Sequence, residues 1–126
     1  MDGFENRIPA GFVLKNTGSY GHTYVIVVSD GHGSYLLTNW TTLKDATRCD
    51  TSCILHAGEH PALSRDSYMF YAGSLRVSGA WLAERIREGN FLVMPPLPAA
   101  VFARVLEGAR RSRYLKTLYK KQFGLE

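Results

Sequence analysis

The stretch GHTYVIVVSDGHGSYLLTNWTT, Gly21 to Thr42, decides the fold. Tyr24 to Val28 is a continuous run of β-branched and aromatic residues, Ser29-Asp30-Gly31-His32-Gly33-Ser34 has the composition of a hairpin loop, and Tyr35 to Thr38 resumes the apolar pattern. Two strands joined by a glycine turn are therefore expected, with Thr41 and Thr42 at a strand end.

Upstream, the first ten or so residues read as a loosely held lead-in. Gly11 to Leu14 reads as a short strand that ends in the turn cluster Asn16-Thr17-Gly18-Ser19. Downstream, Trp40 to Asp50 is polar and charged and reads as a long loop, and Ser52 to Leu55 as another strand closed by Ala57-Gly58-Glu59-His60-Pro61. Pro61 pushes His60 toward extended geometry, which disfavours a helix there. Tyr68 to Val77 carries apolar residues at mostly even spacing, interrupted by Gly73, the pattern of a strand with a bend or bulge.

Beyond Val77 the chain changes character. Ser78 is a good N-cap for a helix over Gly79 to Glu88, with Leu82 and Ile86 on one face and Gly89 as its stop. Phe91 to Met94 is strand-sized, and Pro95-Pro96-Leu97-Pro98 reads as a stiff spacer. A helix entered at Pro98 turns Val101 and Val105 inward, with Gly108 weakening its end. A last helix, Arg110 to Gln122, is predicted to dock through Tyr114, Leu115, Leu118 and Tyr119. The expectation is one α+β domain over residues 1–126: a β-rich body over about 11–77, then two or three helices over about 78–123.

Composition narrows the function classes. No apolar run approaches the roughly 20 residues that cross a bilayer, so no membrane role is expected. The opening MDGFENRIPAGF has acidic residues and no long apolar core, which argues against a secretory signal and makes the cytoplasm the default. The net charge of +4 is uneven: residues 1–63 carry six acidic and four basic side chains, residues 64–126 five acidic and eleven basic. A basic C-terminal half can attract phosphate backbones or an acidic protein, and it can equally be a solvated helix face. P-loop, G-x-G-x-x-G, G-x-S-x-G and H-E-x-x-H motifs are absent, so nucleotide-dependent chemistry is not expected and no cofactor is called for.

The order Gly21-His22, apolar strand, turn, apolar strand, Thr41-Thr42 resembles the core of the MazF/PemK-like toxin family. That resemblance implies a small SH3-like antiparallel β-barrel and metal-independent endoribonuclease activity on single-stranded RNA. It also implies a homodimer and a small antitoxin protein as partner. The family pattern continues its Gly-His pair with arginine and proline, where this chain has Thr23 and Tyr24. Cleavage needs a base for the 2′-hydroxyl and a cation for the charge that develops at phosphorus. His22 has the chemistry of the first, and the second must come from elsewhere, Arg48 or Arg65 being nearest in loop terms. The plainer alternative makes His22 a strand-edge residue and the threonines ordinary β-formers.

The block CDTSCILHAGEHPALSRDSY, Cys49 to Tyr68, resembles small phage- and plasmid-borne proteins that accompany this fold. It adds His60 as an acid or base and Arg65 as an anion clamp, or else a histidine and an arginine with structural duties. The candidate catalytic set is His22, Thr41, Thr42, His60 and Arg65. Cys49, Cys53, His56 and His60 are chemically legitimate zinc ligands, but a strand through Ser52 to Leu55 turns Cys53 and His56 to opposite faces, and a zinc site is not expected. Cations interleaved with tyrosines in RRSRYLKTLYKK can follow a nucleic-acid backbone, which adds Arg110, Arg111, Arg113, Lys116, Lys120 and Lys121 to Arg48 as candidate contacts. The alternative function is a non-catalytic module that binds nucleic acid or an acidic protein.

Overall fold

The computed structural model describes residues 9–18 and 21–126. Most of the expected lead-in, and Ser19 of the first turn, lie outside the described residues. The elements run β1 (Val13–Asn16), β2 (Thr23–Ser29), β3 (Ser34–Thr42), β4 (Ile54–Leu55), β5 (Ser67–Met69), β6 (Leu75–Ser78), α1 (Gly79–Arg87), β7 (Phe91–Met94), α2 (Ala99–Arg111) and α3 (Thr117–Gln122). The fold class is α+β.

The strands pair antiparallel in the order β4-β5-β3-β2-β1-β7. The hairpin β2–β3 is the centre of this sheet, and Gly31 and Gly33, at φ +77° and +95°, supply the left-handed backbone its turn requires. Asp30 ties the same turn by accepting from the His32 and Ser34 amides. β3 runs unbroken through Thr42, which puts Thr41 and Thr42 at a strand end as expected and takes Trp40 out of the expected loop, because its far edge is shared: β6 pairs with Ser34–Leu37 and β5 with Trp40–Thr42. The segment read as one bent strand, Tyr68 to Val77, is thus two strands on either side of a 3-10 turn at Tyr71–Gly73. Among the described residues the hydrogen-bonded path is open, with β4 and β7 at its two ends. β7 returns from the helical half to pair with β1, so the β-rich body draws on both parts of the chain.

Along Val25 to Val27 both faces of the sheet are covered, which is why that run is continuously apolar. Val13, Val25, Val27, Leu36 and Trp40 face α2 and the C-terminal segment, where Val101, Val105, Ala109, Leu115 and Phe123 complete the main core. On the other face Leu14, Ile26, Tyr35 and Leu37 meet Leu82 and Phe91 beneath α1. The strand pleat sends Val25, Ile26 and Val27 alternately to the two cores, and the register shift between Ile26 and Val28 leaves Val28 packed against the same core as Val27. The α1 boundaries follow the sequence: Ser78 Oγ accepts from the Trp81 amide at 3.0 Å, and Gly89 leaves the helix at φ +81°.

Several expectations are corrected. The last helix does not run from Arg110 to Gln122. α2 ends at Arg111, Ser112 turns the chain with its hydroxyl accepting from the Tyr114 and Leu115 amides, and only Thr117–Gln122 is helical again. Tyr114 and Leu118 are exposed and do not dock; Leu115, Phe123 and Leu125 do. Gly108 lies inside α2, which continues to Arg111, and it admits a close approach, since an added Cβ would stand 2.6 Å from Tyr71 Oη and 2.7 Å from Cys53 Cβ. The proline segment is no free spacer, because Leu97 is buried and its amide donates to Gly11 O at 2.9 Å.

Candidate functional site

Three separated segments converge at the end of the β2–β3 hairpin. Gly21, His22 and Thr23 enter β2, Trp40, Thr41 and Thr42 end β3, and Ala62 to Arg65 with Ser67 form the approach to β5. Together they line an open, polar cleft of about 320 Å³. Pairing places them there: Thr41 and Thr42 lie opposite Tyr68 and Ser67, and the Leu43 amide donates to Asp66 O at 2.9 Å, which holds the Arg65 loop against the strand end. Gly21 is required at its position, because a Cβ there would stand 2.6 Å from Asn16 Cβ. His22, Thr41, Thr42 and Arg65 are thereby brought together.

His60 is not with them. It is 2 % exposed, its Nδ1 accepts from the Ala62 amide at 3.0 Å, and its Nε2 meets Pro95 O at 2.7 Å. Those bonds put the ring proton on Nε2 and occupy both nitrogens. The ring packs 6.0 Å from Trp40, centroid to centroid, so His60 supports the cleft wall from behind and joins the loop to the segment before α2. Its neighbour Glu59 has a comparable duty. Arg104 forks onto both carboxylate oxygens at 2.6 and 2.9 Å, which with the His56 amide holds the Glu59 carboxyl down at a pKa of about 2 against the desolvation of partial burial.

Two cations differ within the cleft's surroundings. Arg65 is exposed and its guanidinium makes no hydrogen bond or ion pair among the described residues, whereas Arg48 pairs with Asp45 at 3.7 Å. The C-terminal cations also divide. Lys120 donates to Arg110 O and Ser112 O at 2.8 and 2.6 Å and so closes the end of α2, and Arg111 donates to Ser52 O. Lys116 lies over the Tyr119 ring. Arg110, Arg113 and Lys121 project from exposed positions. Cys49, Cys53, His56 and His60 do not assemble, and among the described residues no group of three or more histidine, cysteine or acidic side chains is placed to hold a metal ion. Burial raises the Cys53 thiol, as expected for a small core residue.

Sequence reasoning missed the surface beside the cleft. A second depression, lined by His22, Tyr24, Asn39, Thr41, Tyr68, Phe70, Gly73 and Leu75, shares His22 and Thr41 with the first. A third shares Tyr68 and Phe70 with it and continues past Arg48, Cys49 and Asp50 to Tyr114. The available signal was the polar pair Asn39 and Thr41, two apart on one strand face, with Tyr68 on the neighbouring strand. No protein-family model matches the chain, and no curated protein matches it in sequence.

Proposed function

We propose that the cleft binds single-stranded RNA and cleaves it without a metal ion, in the manner of a MazF/PemK-like toxin. The observation that carries the reading is the convergence of His22, Thr41, Thr42 and Arg65 on one open cleft from segments more than 15 residues apart in sequence. In this scheme Arg65 binds the scissile phosphate and stabilises its developing charge, and the two threonine hydroxyls orient it. His22 takes the 2′-hydroxyl proton as the 2′-oxygen bonds to phosphorus, the bond from phosphorus to the 5′-oxygen breaks, and the leaving oxygen takes a proton from solvent. The products are a 2′,3′-cyclic phosphate and a 5′-hydroxyl.

Arg65 replaces, from a different loop, the arginine that the family pattern carries directly after its Gly-His pair. With the reading go an SH3-like barrel relationship for the antiparallel sheet, a homodimer, an antitoxin partner that covers the cleft, and a cytoplasmic setting. One observation favours a second reading. With His60 engaged behind the wall, His22 is the sole imidazole lining the cleft among the described residues. A site with one proton-transfer group suits binding without cleavage.

Turnover separates the two. Long single-stranded RNA incubated in chelator is expected to yield discrete ends with the wild-type protein and roughly 100-fold fewer with His22→Ala. Arg65→Ala is expected to lose a similar factor or more. Intact RNA with retained binding leaves the non-catalytic module, and cutting that survives both substitutions overturns the assignment of the site.

A further inference from the structure

We propose that the depression between Tyr24, Asn39, Tyr68 and Phe70 is a pocket for one unpaired nucleobase, set beside the phosphate cleft. The proposal rests on reading that cleft as a nucleic-acid site and adds the element that would recognise a base. Asn39 on β3 stands opposite Tyr24 on β2, and the next residue on that face, Thr41, stands opposite Tyr68 on β5. Two residues earlier on the same face Leu37 is sealed under the α1 side of the sheet. Beyond α1 the face opens into a space of about 330 Å³.

Asn39 is the distinctive feature of that space. It is 4 % exposed and lines the depression, yet its Nδ2 has only a long 3.4 Å contact to Trp40 O, and its Oδ1 accepts no hydrogen bond among the described residues. Arg85 Nε is the buried side-chain atom without a partner among the described residues, so Asn39 Oδ1 is not sealed from solvent and is free to accept from a group that enters the depression. The carboxamide presents an acceptor beside a donor, the complement of the donor-acceptor edge that nucleobases carry. The walls suit the flat faces of a base. Tyr68 and Phe70 meet edge to face at 6.4 Å, and Gly73 lets the Phe70 ring fold back on the backbone, where a Cβ would stand 2.6 Å from Cδ2. Burial, the Cys49 thiol and Asp50 together raise the Tyr68 hydroxyl, so it adds no negative charge that would repel the strand. Because His22 and Thr41 border both depressions, a base in one and a phosphate in the other belong to adjoining nucleotides.

The test is fluorescence anisotropy with a 2′-O-methyl hexanucleotide, which the proposed chemistry cannot cut, and with copies in which a single abasic position is walked along the strand. One position is expected to weaken wild-type binding roughly tenfold when its base is removed, at equal backbone charge. In Tyr68→Leu that penalty disappears, and in Asn39→Ala the penalty remains while preference among the four bases at that position is lost. Equal affinities for every abasic copy overturn the pocket, as does a penalty that Tyr68→Leu leaves intact. The abasic walk reads out on the unaltered protein, so it does not depend on either variant folding. RNA left uncut while the positional penalty persists overturns the cleavage reading alone; RNA cut with no positional penalty overturns the pocket alone. No wild-type binding at low salt overturns both.

Discussion

His22 and His60 have the same side chain and opposite circumstances, and the difference is a matter of which hydrogen bonds each ring already makes. His60 spends both nitrogens on the backbone of Ala62 and Pro95, so replacing it removes the partner of a half-buried amide and of the Pro95 carbonyl and empties a buried ring site beside Trp40. His60→Ala is expected to lower the unfolding free energy by roughly 2–4 kcal/mol in urea titration, from unsatisfied groups and lost packing on Trp40. His22→Ala, at an exposed position, is expected to stay within about 0.5 kcal/mol of wild type. Equal stability for the two variants would contradict the division of labour. Gly108 offers a second test at this scale. Alanine is normally favoured over glycine inside a helix by roughly 1 kcal/mol, but here its methyl meets Tyr71, Cys53 and the Ser52 carbonyl. Gly108→Ala is therefore expected to destabilise by about 1–3 kcal/mol in the same titration. A stabilised Gly108→Ala protein would remove the close approach from the account.

Elements here are held as much by their ends as by their faces. The loop that carries His60 is clamped to α2 by the fork of Arg104 on Glu59, together with the bond from Arg104 to Ile54 O. A carboxyl held near pKa 2 when folded, against about 4.3 in a free chain, contributes stability that is fully present above the free-chain value and is lost as pH falls toward 2. Thermal melts between pH 6 and pH 2 are expected to show that acid-side decline, and Arg104→Met is expected to flatten it while costing about 1–2 kcal/mol at neutral pH. An unchanged slope in Arg104→Met would break the link. Ser78→Ala is expected to cost about 1 kcal/mol through the α1 cap. Ser78 and Gly89 were legible in the sequence because capping is local: the residue that ends the helix is the one that carries the signal. The β2–β3 hairpin was legible for the same reason. Thr41 and Thr42 were legible as a strand end, but the partner that holds them there was not, since Ser67–Met69 lies some 25 residues on. The break after Arg111 escaped notice because Tyr114 and Leu118 keep helical spacing while Ser112 turns the chain by a side-chain bond that spacing does not report.

At the scale of the molecule, the proposal turns on which surface would take a nucleic acid. The charge asymmetry pointed to the C-terminal helices, but Lys120 and Arg111 there are committed to backbone carbonyls, and α2 presents its apolar side to the core. The cleft, by contrast, combines a guanidinium without a partner among the described residues, threonine hydroxyls and an imidazole, and it continues over aromatic rings on the uncovered part of the sheet. Its site residues were legible as types, and their convergence was not, because it depends on the Arg65 loop being drawn to the end of β3 by a single strand pairing. If the cleft is the phosphate site, binding should weaken steeply with salt, and Arg65→Ala should reduce the slope of log affinity against log salt by about one. A slope unchanged in Arg65→Ala would move the phosphate contact elsewhere. The most direct measurement of the central claim is a heteronuclear NMR titration of the protein with an uncleavable 2′-O-methyl RNA hexamer. The amides expected to shift are those of Gly21 to Tyr24, Asn39 to Thr42 and Ala62 to Phe70. Shifts confined to Arg110 to Lys121 would contradict it and return the site to the basic C-terminal segment.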